Sequence, residues 1–300
     1  MSAFRCGWSG PDAARFWVGF DACTRAPRSF REELGVAARA VAAAAAKPLW
    51  FCSSGGIDSE IMCRVFRDEG IDFHVLTLEH EAGTNRHDTQ HAEAFCRAHG
   101  LAQEVVRVDM RRFFEIDCEA YAERGFVTGN VFRYLQLRML ELVEERGGHA
   151  VLGGGEQLYE VPMDAAVLGE DDVHLAFDVG YAVPSVHAER RGTSHTPYFF
   201  FETPELCAAY LATPIVAFAV RDAAFFRHPT IRFMFKRLTY HAAFPDLPPR
   251  PKLHGFERLV PDRKRAEARL RARFGSRLEV VRLPVPELRR QLSGGQNRAV

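Results

Sequence analysis

Paired cysteines are absent. The chain has seven, an odd number, and no C-x-x-C occurs anywhere. That excludes a spacing-defined disulfide or redox framework and points to a reduced, cytoplasmic setting. A charge bias is absent too: 39 Lys plus Arg meet 39 Asp plus Glu, so bulk charge argues neither for nor against a polyanionic partner. Long apolar runs are also missing. The alanine-rich stretch 37–46 is too short and too flanked by charge to span a bilayer. The opening Met-Ser-Ala-Phe-Arg-Cys lacks a signal-peptide apolar region. No membrane partner is expected, and no internal repeat is visible.

What is present is an ordinary globular composition, 47% hydrophobic over 300 residues. That is enough for one large or two small domains with a sizeable core. Short apolar segments alternate with helical patterns. A helix is expected over 30–46, opened by Ser29 and ended before Pro48, then a strand over 48–53 and a helix over 57–69 ending at Gly70. A second strand is read at 72–78, a helix at 86–99, a third strand at 103–109, helices at 110–124 and 130–147, and a fourth strand at 149–152. Such alternation implies an α/β fold with a doubly wound parallel sheet, in which ligands bind beyond the carboxyl ends of the strands. Two glycine-rich turns, 54–56 and 153–155, fall at such ends. After about residue 165 the rhythm breaks. Residues 173–202 read as short aromatic strands or loops, 204–212 and 230–243 as helices, 244–252 as a proline-stiffened extended stretch, and 262–290 as a basic helix and tail.

Residues 49–59 carry the strongest chemical signal: Leu-Trp-Phe-Cys-Ser-Ser-Gly-Gly-Ile-Asp-Ser. An apolar strand runs straight into Ser54-Gly55-Gly56-Ile57-Asp58-Ser59, and an amphipathic helix follows (Ile57, Ile61, Met62, Val65, Phe66). Two glycines let the backbone approach an anion closely. The free N–H groups of the opening helix favour negative charge. The serine hydroxyls can donate to phosphate oxygens, and Asp58 can hold a cation against them. No Gly-Lys-Ser/Thr follows, so this is not a Walker A loop.

The array resembles the SGGxDS pyrophosphate loop of the PP-loop ATP pyrophosphatases, which split ATP between the α and β phosphates and activate a substrate as its adenylate. Gly153-Gly154-Gly155-Glu156-Gln157-Leu158-Tyr159 is similar to the Gly-x-Gly-x-Asp-Glu-Leu loop of asparagine synthetase-like members, shortened by one residue. Lys236-Arg237, Arg250-Pro251-Lys252 and Gly255-Phe256 follow the order and spacing of that group's Lys-x-x-Leu-Arg helix, Arg-x-Lys and Gly-Phe.

The resemblance implies an adenine nucleotide alpha hydrolase-like fold with an additional, mainly helical C-terminal part. The implied organisation is an extension over 1–29, a nucleotide-binding domain over 30–165, a substrate region over 166–261, and a basic helix and tail over 262–300. It implies ATP and Mg²⁺ as cofactors. ATP would be held by Ser53, Ser54, Gly55, Gly56, Ile57, Asp58 and Ser59, by Gly153, Gly154 and Gly155, and by the strand backbone at Leu76, Thr77 and Leu78. Asp58 and Glu156 would hold the metal, and Asp58, Lys236 and Lys252 would be catalytic. The glutaminase domain of full synthetases is not matched, and Cys6 is not placed as its nucleophile, so ammonia is not expected to be made from glutamine here.

Other features leave alternatives open. Thr84 or Asn85 is a candidate helix cap, with Asp88 in the first helical turn. His87 and His91 have metal-ligand spacing without an evident third ligand. Arg133 and Arg138 are candidates for a phosphate or for a plain helix surface. Leu292-Ser-Gly-Gly-Gln296 reproduces an ABC-ATPase signature string without its context and is read as coincidence. Ten Lys/Arg against four Asp/Glu over 262–290 keep a nucleic acid partner open. Three readings follow: an adenylating ligase that lets ammonia or an amine displace AMP from a small molecule or nucleobase, a sulfur-transferring relative acting on a nucleic acid base, or a non-enzymatic nucleotide-binding protein. The oligomeric state is not legible.

Overall fold

The structure is a computed structural model that describes residues 2–9, 15–155, 159–164, 167–227, 229–248 and 255–295, without the side chains of 229–233 and 276. The chain opens with an antiparallel hairpin, β1 (Phe4–Ser9) and β2 (Arg15–Phe20). Helix α1 (Phe30–Ala44) is started by a capping box: Ser29 Oγ accepts from the Glu32 N–H, and the Glu32 carboxylate accepts from the Ser29 N–H. Its small and aliphatic face, Leu34, Ala37, Ala38 and Val41, is buried.

The central layer then builds in the expected rhythm. It comprises β3 (Leu49–Cys52), α2 (Ile57–Asp68), β4 (His74–His80), α3 (Arg86–His99) and β5 (Gln103–Val108). A helical stretch follows in three pieces, α4 (Met110–Arg112), a π-turn (Phe113–Asp117) and α5 (Cys118–Glu123), and then α6 (Val131–Glu145) and β6 (His149–Leu152). The four strands are parallel in the order β5-β4-β3-β6. The chain steps one way from β3 to β5 and then returns past β3 to β6. Right-handed crossovers therefore put α2 and α3 on one face and α6 on the other. The order in which the chain adds strands reverses between β3 and β6, and the crevice at their carboxyl ends is the ligand position of this architecture. Phe51, Val75, Leu76, Ala150 and Val151 are fully buried, as strands covered on both faces require.

The remainder is mainly helical: α7 (Val183–Arg191), α8 (Pro204–Leu211), α9 (Pro214–Arg221), α10 (Pro229–Ala243), α11 (Val260–Phe274) and α12 (Val285–Leu292). A small antiparallel sheet, β7 (Tyr159–Glu160), β8 (His174–Asp178) and β9 (Val280–Pro284), is set among these helices. One contiguous apolar core runs from Phe4 to Leu292. No single helix among the described residues is long and apolar enough to cross a membrane.

Several readings are corrected. The second strand lies at 74–80 rather than 72–78, because Asp72 ends the connection from Gly70 and pairing with β5 starts later. The 110–124 helix is interrupted by the π-turn, which buries Phe113 and Phe114 together. Residues 173–202 contain α7 as well as a strand. The segment 262–290 is not one helix and tail. After Gly275, with φ of 46°, the chain forms β9 against β8, and Pro286 sits in the first turn of α12.

At the amino end of β6 a buried polar hub ties three elements together. Glu144 Oε1 accepts from His187 Nε2 (2.9 Å), His195 Nε2 (2.9 Å) and Thr193 Oγ1 (2.8 Å). The Ala150 N–H donates to His195 Nδ1 at 3.1 Å. A neutral ring accepting at Nδ1 carries its proton at Nε2 and has no lone pair there for a metal. The trio Glu144, His187 and His195 is therefore a brace between α6, α7 and β6 rather than a metal site. Burial opposes ionisation of Glu144, but hydrogen bonds from His195 and Thr193 and the neighbouring His187 outweigh it and hold the carboxyl at about 2. Beside this hub, burial and then His195 and Lys47 push His149 down from 6.5 to about 4.

Because the folded value of His149 lies below its unfolded one, the unfolded chain takes up the proton first. The associated stability is fully present above about pH 6.5 and is lost as pH falls toward 4. The melting temperature should therefore drop across this window, and His149→Gln should flatten part of that drop in calorimetric scans. An unchanged slope in the variant would show that other groups carry the acid lability.

Candidate functional site

The strand β3 hands directly to the first glycine loop. The Ser53 N–H still bonds to the Leu76 carbonyl at 2.9 Å, after which the chain leaves the sheet. Gly55 turns with φ of 83°, and Gly56 is the extended N-cap of α2. The loop folds on its own hydroxyls: the Gly55 N–H faces Ser53 Oγ (3.4 Å), the Gly56 N–H faces Ser54 Oγ (3.2 Å), and Ser59 Oγ donates to the Gly56 carbonyl (2.9 Å). Gly55 is obligatory for two reasons. Its φ is left-handed, and a Cβ there would lie 1.9 Å from the Asp88 carbonyl oxygen at the start of α3.

The second glycine turn closes on the first. A Cβ on Gly153 would sit 3.3 Å from the Ser59 N–H nitrogen, so this turn rests on the opening turn of α2. Gly154 packs under Pro197 and accepts from the Phe200 N–H at 3.1 Å, and Gly155, with φ of 86°, packs on Phe201. Sequence reading gave no role to the 197–201 segment, which supplies the outer wall of this turn.

Into this corner α10 sends Lys236, whose Nζ donates to Asp58 Oδ2 at 2.6 Å. The lysine is 8% exposed, and the two residues lie 178 positions apart. The other carboxylate oxygen, Asp58 Oδ1, is buried with no hydrogen-bond partner among the described residues. An orphaned hard oxygen beside a phosphate-type loop fits magnesium, which takes oxygen ligands. Glu156, the other expected metal ligand, lies outside the described residues, as do Arg250 and Lys252.

The carboxyl end of β4 forms the next wall. Leu76, Thr77 and Leu78 are buried in the sheet, paired with β3 and β5. Asn85 is the N-cap residue of α3, as the sequence suggested, but its side chain makes no capping bond and bridges this strand end: its Nδ2 donates to the Leu78 carbonyl (2.9 Å) and its Oδ1 accepts from the His80 N–H (2.9 Å). His80 is buried against Phe256 and bonded to Thr84 Oγ1 at 2.6 Å. Burial, and then His87, lowers its imidazole to about 4, so it is neutral at pH 7. Gly255, with φ of 78°, lies against Thr84 and Asn85, with a Cβ position 2.7 Å from the Asn85 Cα. Phe256 is gripped by His80, Phe114 and Phe132, with centroids at 5.0, 6.1 and 4.7 Å. The Gly255-Phe256 pair is thus brought to the same sheet edge as both glycine turns.

The remaining candidates lie elsewhere. His87 and His91 gather no third ligand among the described residues. Arg133 is buried, 3.7 Å above the Tyr181 ring and 3.7 Å from Asp178, and Arg138 pairs with Glu145 at 3.2 Å. In the basic segment, Arg263, Arg265, Arg269, Arg273, Arg289 and Arg290 all face acidic partners.

No protein-family model matches this chain, and no curated protein matches it. Among solved structures it is similar to a predicted subunit of tRNA methyltransferase from Methanocaldococcus jannaschii, at 18% identity over 54% of this chain and 73% of that one, TM-score 0.34. It is also similar to an NH3-dependent NAD synthetase from Campylobacter jejuni, at 14% identity over 75% of this chain and 98% of that one, TM-score 0.35. A third is the U34-tRNA thiolase NcsA from Methanococcus maripaludis with its 4Fe-4S cluster, at 13% identity over 75% of this chain and 82% of that one, TM-score 0.34.

Two stability predictions test this geometry. Gly55→Ala should cost at least about 1–3 kcal/mol from backbone strain alone, read by urea unfolding; a neutral substitution would refute the close approach to α3. Phe256→Ala should cost about 3–5 kcal/mol as a buried aromatic deletion, and a loss well under 1 kcal/mol would show that the aromatic grip is not holding this segment.

Proposed function

We propose that this protein is an ATP-dependent enzyme that forms AMP and pyrophosphate, adenylating a carboxylate, amide or nucleobase oxygen and letting ammonia or an amine displace AMP. The observation that carries the reading is the convergence of Asp58 and Lys236 on the SGGIDS loop, at the point where the strand order of the parallel sheet switches. A glycine loop at a helix start suits the leaving pyrophosphate, and a buried ammonium suits charge that develops as the bond to the α-phosphorus exchanges.

In the first step a substrate oxygen attacks the α-phosphorus, the bond to the bridging oxygen breaks, and pyrophosphate leaves with that electron pair. In the second, nitrogen attacks the activated carbon, loses a proton, and AMP departs. The chain's own part is positioning and charge neutralisation: the loop 53–59 and turn 153–155 hold phosphates, and Lys236 neutralises the departing group. Magnesium on Asp58, with Glu156, would offset triphosphate charge when bound.

The amine reading is favoured over sulfur transfer by the cysteines. All seven are free, and five are buried. Burial raises Cys52 and Cys118 to about 12 and Cys96 to about 11, and raises Cys63 and Cys207 further. Half-buried Cys6 and Cys23 are raised as well, so none is a ready thiolate at neutral pH. The pairing of six of the ten cations in the basic segment supports a small-molecule or nucleobase substrate over a long polyanion. Seven free thiols suit the cytoplasm.

The test is a product assay across carboxylates, amides and nucleosides with ammonia or simple amines, guided by mass spectrometry of cells with and without the protein. AMP and pyrophosphate are expected in equal amounts, with formation abolished by Asp58→Asn and lowered roughly a hundredfold by Lys236→Met. Release of ADP and phosphate instead would overturn the reading. Single Cys→Ser changes should preserve turnover; loss from one of them without unfolding would move the assignment to sulfur transfer.

A further inference from the structure

The two oxygens of the Asp58 carboxylate differ in their surroundings. Oδ2 is held by the Lys236 ammonium at 2.6 Å, whereas Oδ1 is buried with no hydrogen-bond partner among the described residues. The lysine side chain is only 10% exposed and its Nζ lies 6.0 Å from the Tyr240 ring centre, so the ammonium is tucked into the corner rather than ranging through solvent. Asp58 also sits in the first turn of α2, where the helix end adds positive partial charge. Without ligands, the anion expected to hold a metal is thus already neutralised from within the chain.

A divalent ion arriving at Asp58 meets an ammonium within a few ångströms, and two cations that close in a partly buried site repel strongly. The lysine stem is flexible and its head is a point charge, so it can exchange one anionic partner for another by rotation. We propose that Lys236 and the divalent cation are alternative partners of Asp58, and that nucleotide phosphate decides between them by drawing the ammonium off the carboxylate. This rests on the nucleotide-binding reading above and adds an order to it. Metal binds weakly to the free protein, and the triphosphate, by taking Lys236, opens Asp58 to the metal. By linkage, the metal must in turn strengthen nucleotide binding by the same factor.

The test measures metal affinity without turnover. Mn²⁺ is titrated into the nucleotide-free protein and free ion is followed by electron paramagnetic resonance, for wild type, Lys236→Met, Lys236→Gln and Lys236→Arg, each first shown to melt cooperatively. Lys236→Met and Lys236→Gln should bind Mn²⁺ at least tenfold more tightly than wild type, and adding Asp58→Asn should erase that gain. Lys236→Arg, which keeps the charge, should stay within threefold of wild type. Equal Mn²⁺ affinity in wild type and both neutral variants overturns the proposal, as does a gain that survives Asp58→Asn. A separate arm titrates a non-hydrolysable ATP analogue into wild type in the presence of chelator and then of Mn²⁺. Failure of wild type to bind the analogue in either condition sinks the nucleotide reading itself. Binding that Mn²⁺ does not strengthen sinks only the exchange.

Discussion

A carboxylate at the start of a helix, met by a lysine from 178 residues away, is the interaction on which this architecture turns. Asp58 belongs to the parallel core and Lys236 to a helix of the C-terminal half. Burying either charge alone would cost several kcal/mol, so the two halves are held to one arrangement at this point. Other contacts follow the same line. Arg64 on α2 reaches Asp246 just beyond α10, and Gly255 fits into the connection after β4 only because it has no side chain. The C-terminal half covers the sheet edge and also supplies the cation that the glycine loop lacks.

The parallel sheet explains why everything converges there. With the order β5-β4-β3-β6, the chain leaves β3 and β6 in opposite directions, and a crevice opens between their carboxyl ends. Both glycine turns are exits from these two strands. Their mutual fit is tight enough that Gly153 touches the backbone of the first turn of α2. Glycine at these positions is a packing requirement between two pieces of backbone, and the exposed N–H groups of the helix start are what remain to meet an anion.

Much of the central layer was legible because its innermost strands are short, mainly apolar and bounded by glycine or proline. Leu49–Cys52 and His149–Leu152 are largely buried and read as mainly apolar runs, while Ser29 marked the start of α1 and Pro48 its end. The first glycine loop was legible for the same reason: its chemistry is local. What stayed hidden depends on partners far along the chain. Strand β9 carries arginine and an exposed valine, and it is a strand because β8, a hundred residues earlier, offers it an edge. The hairpin β1–β2 packs beside β9 and α12, again across nearly the whole sequence. His80 gave no signal of its own, and Asn85, read as a helix cap, does hold the N-cap position of α3, but its side chain bridges the strand end through bonds to Leu78 and His80. The outer wall at 197–201 is likewise defined only by the turn it covers.

The separation between Asp58 and Lys236 also has a consequence during biosynthesis. A ribosome adding about 5–20 residues per second makes Lys236 roughly 9–36 s after Asp58, given the 178 positions between them. The strands β3 to β6 are complete by residue 152, so the sheet can assemble while the Asp58 carboxylate still lacks its internal partner. During that interval the nascent chain carries an unpaired carboxylate and an open helix start that only solvent and salt can neutralise. Docking of α10 then closes the Lys236–Asp58 pair, so this long-range contact can form only late in synthesis.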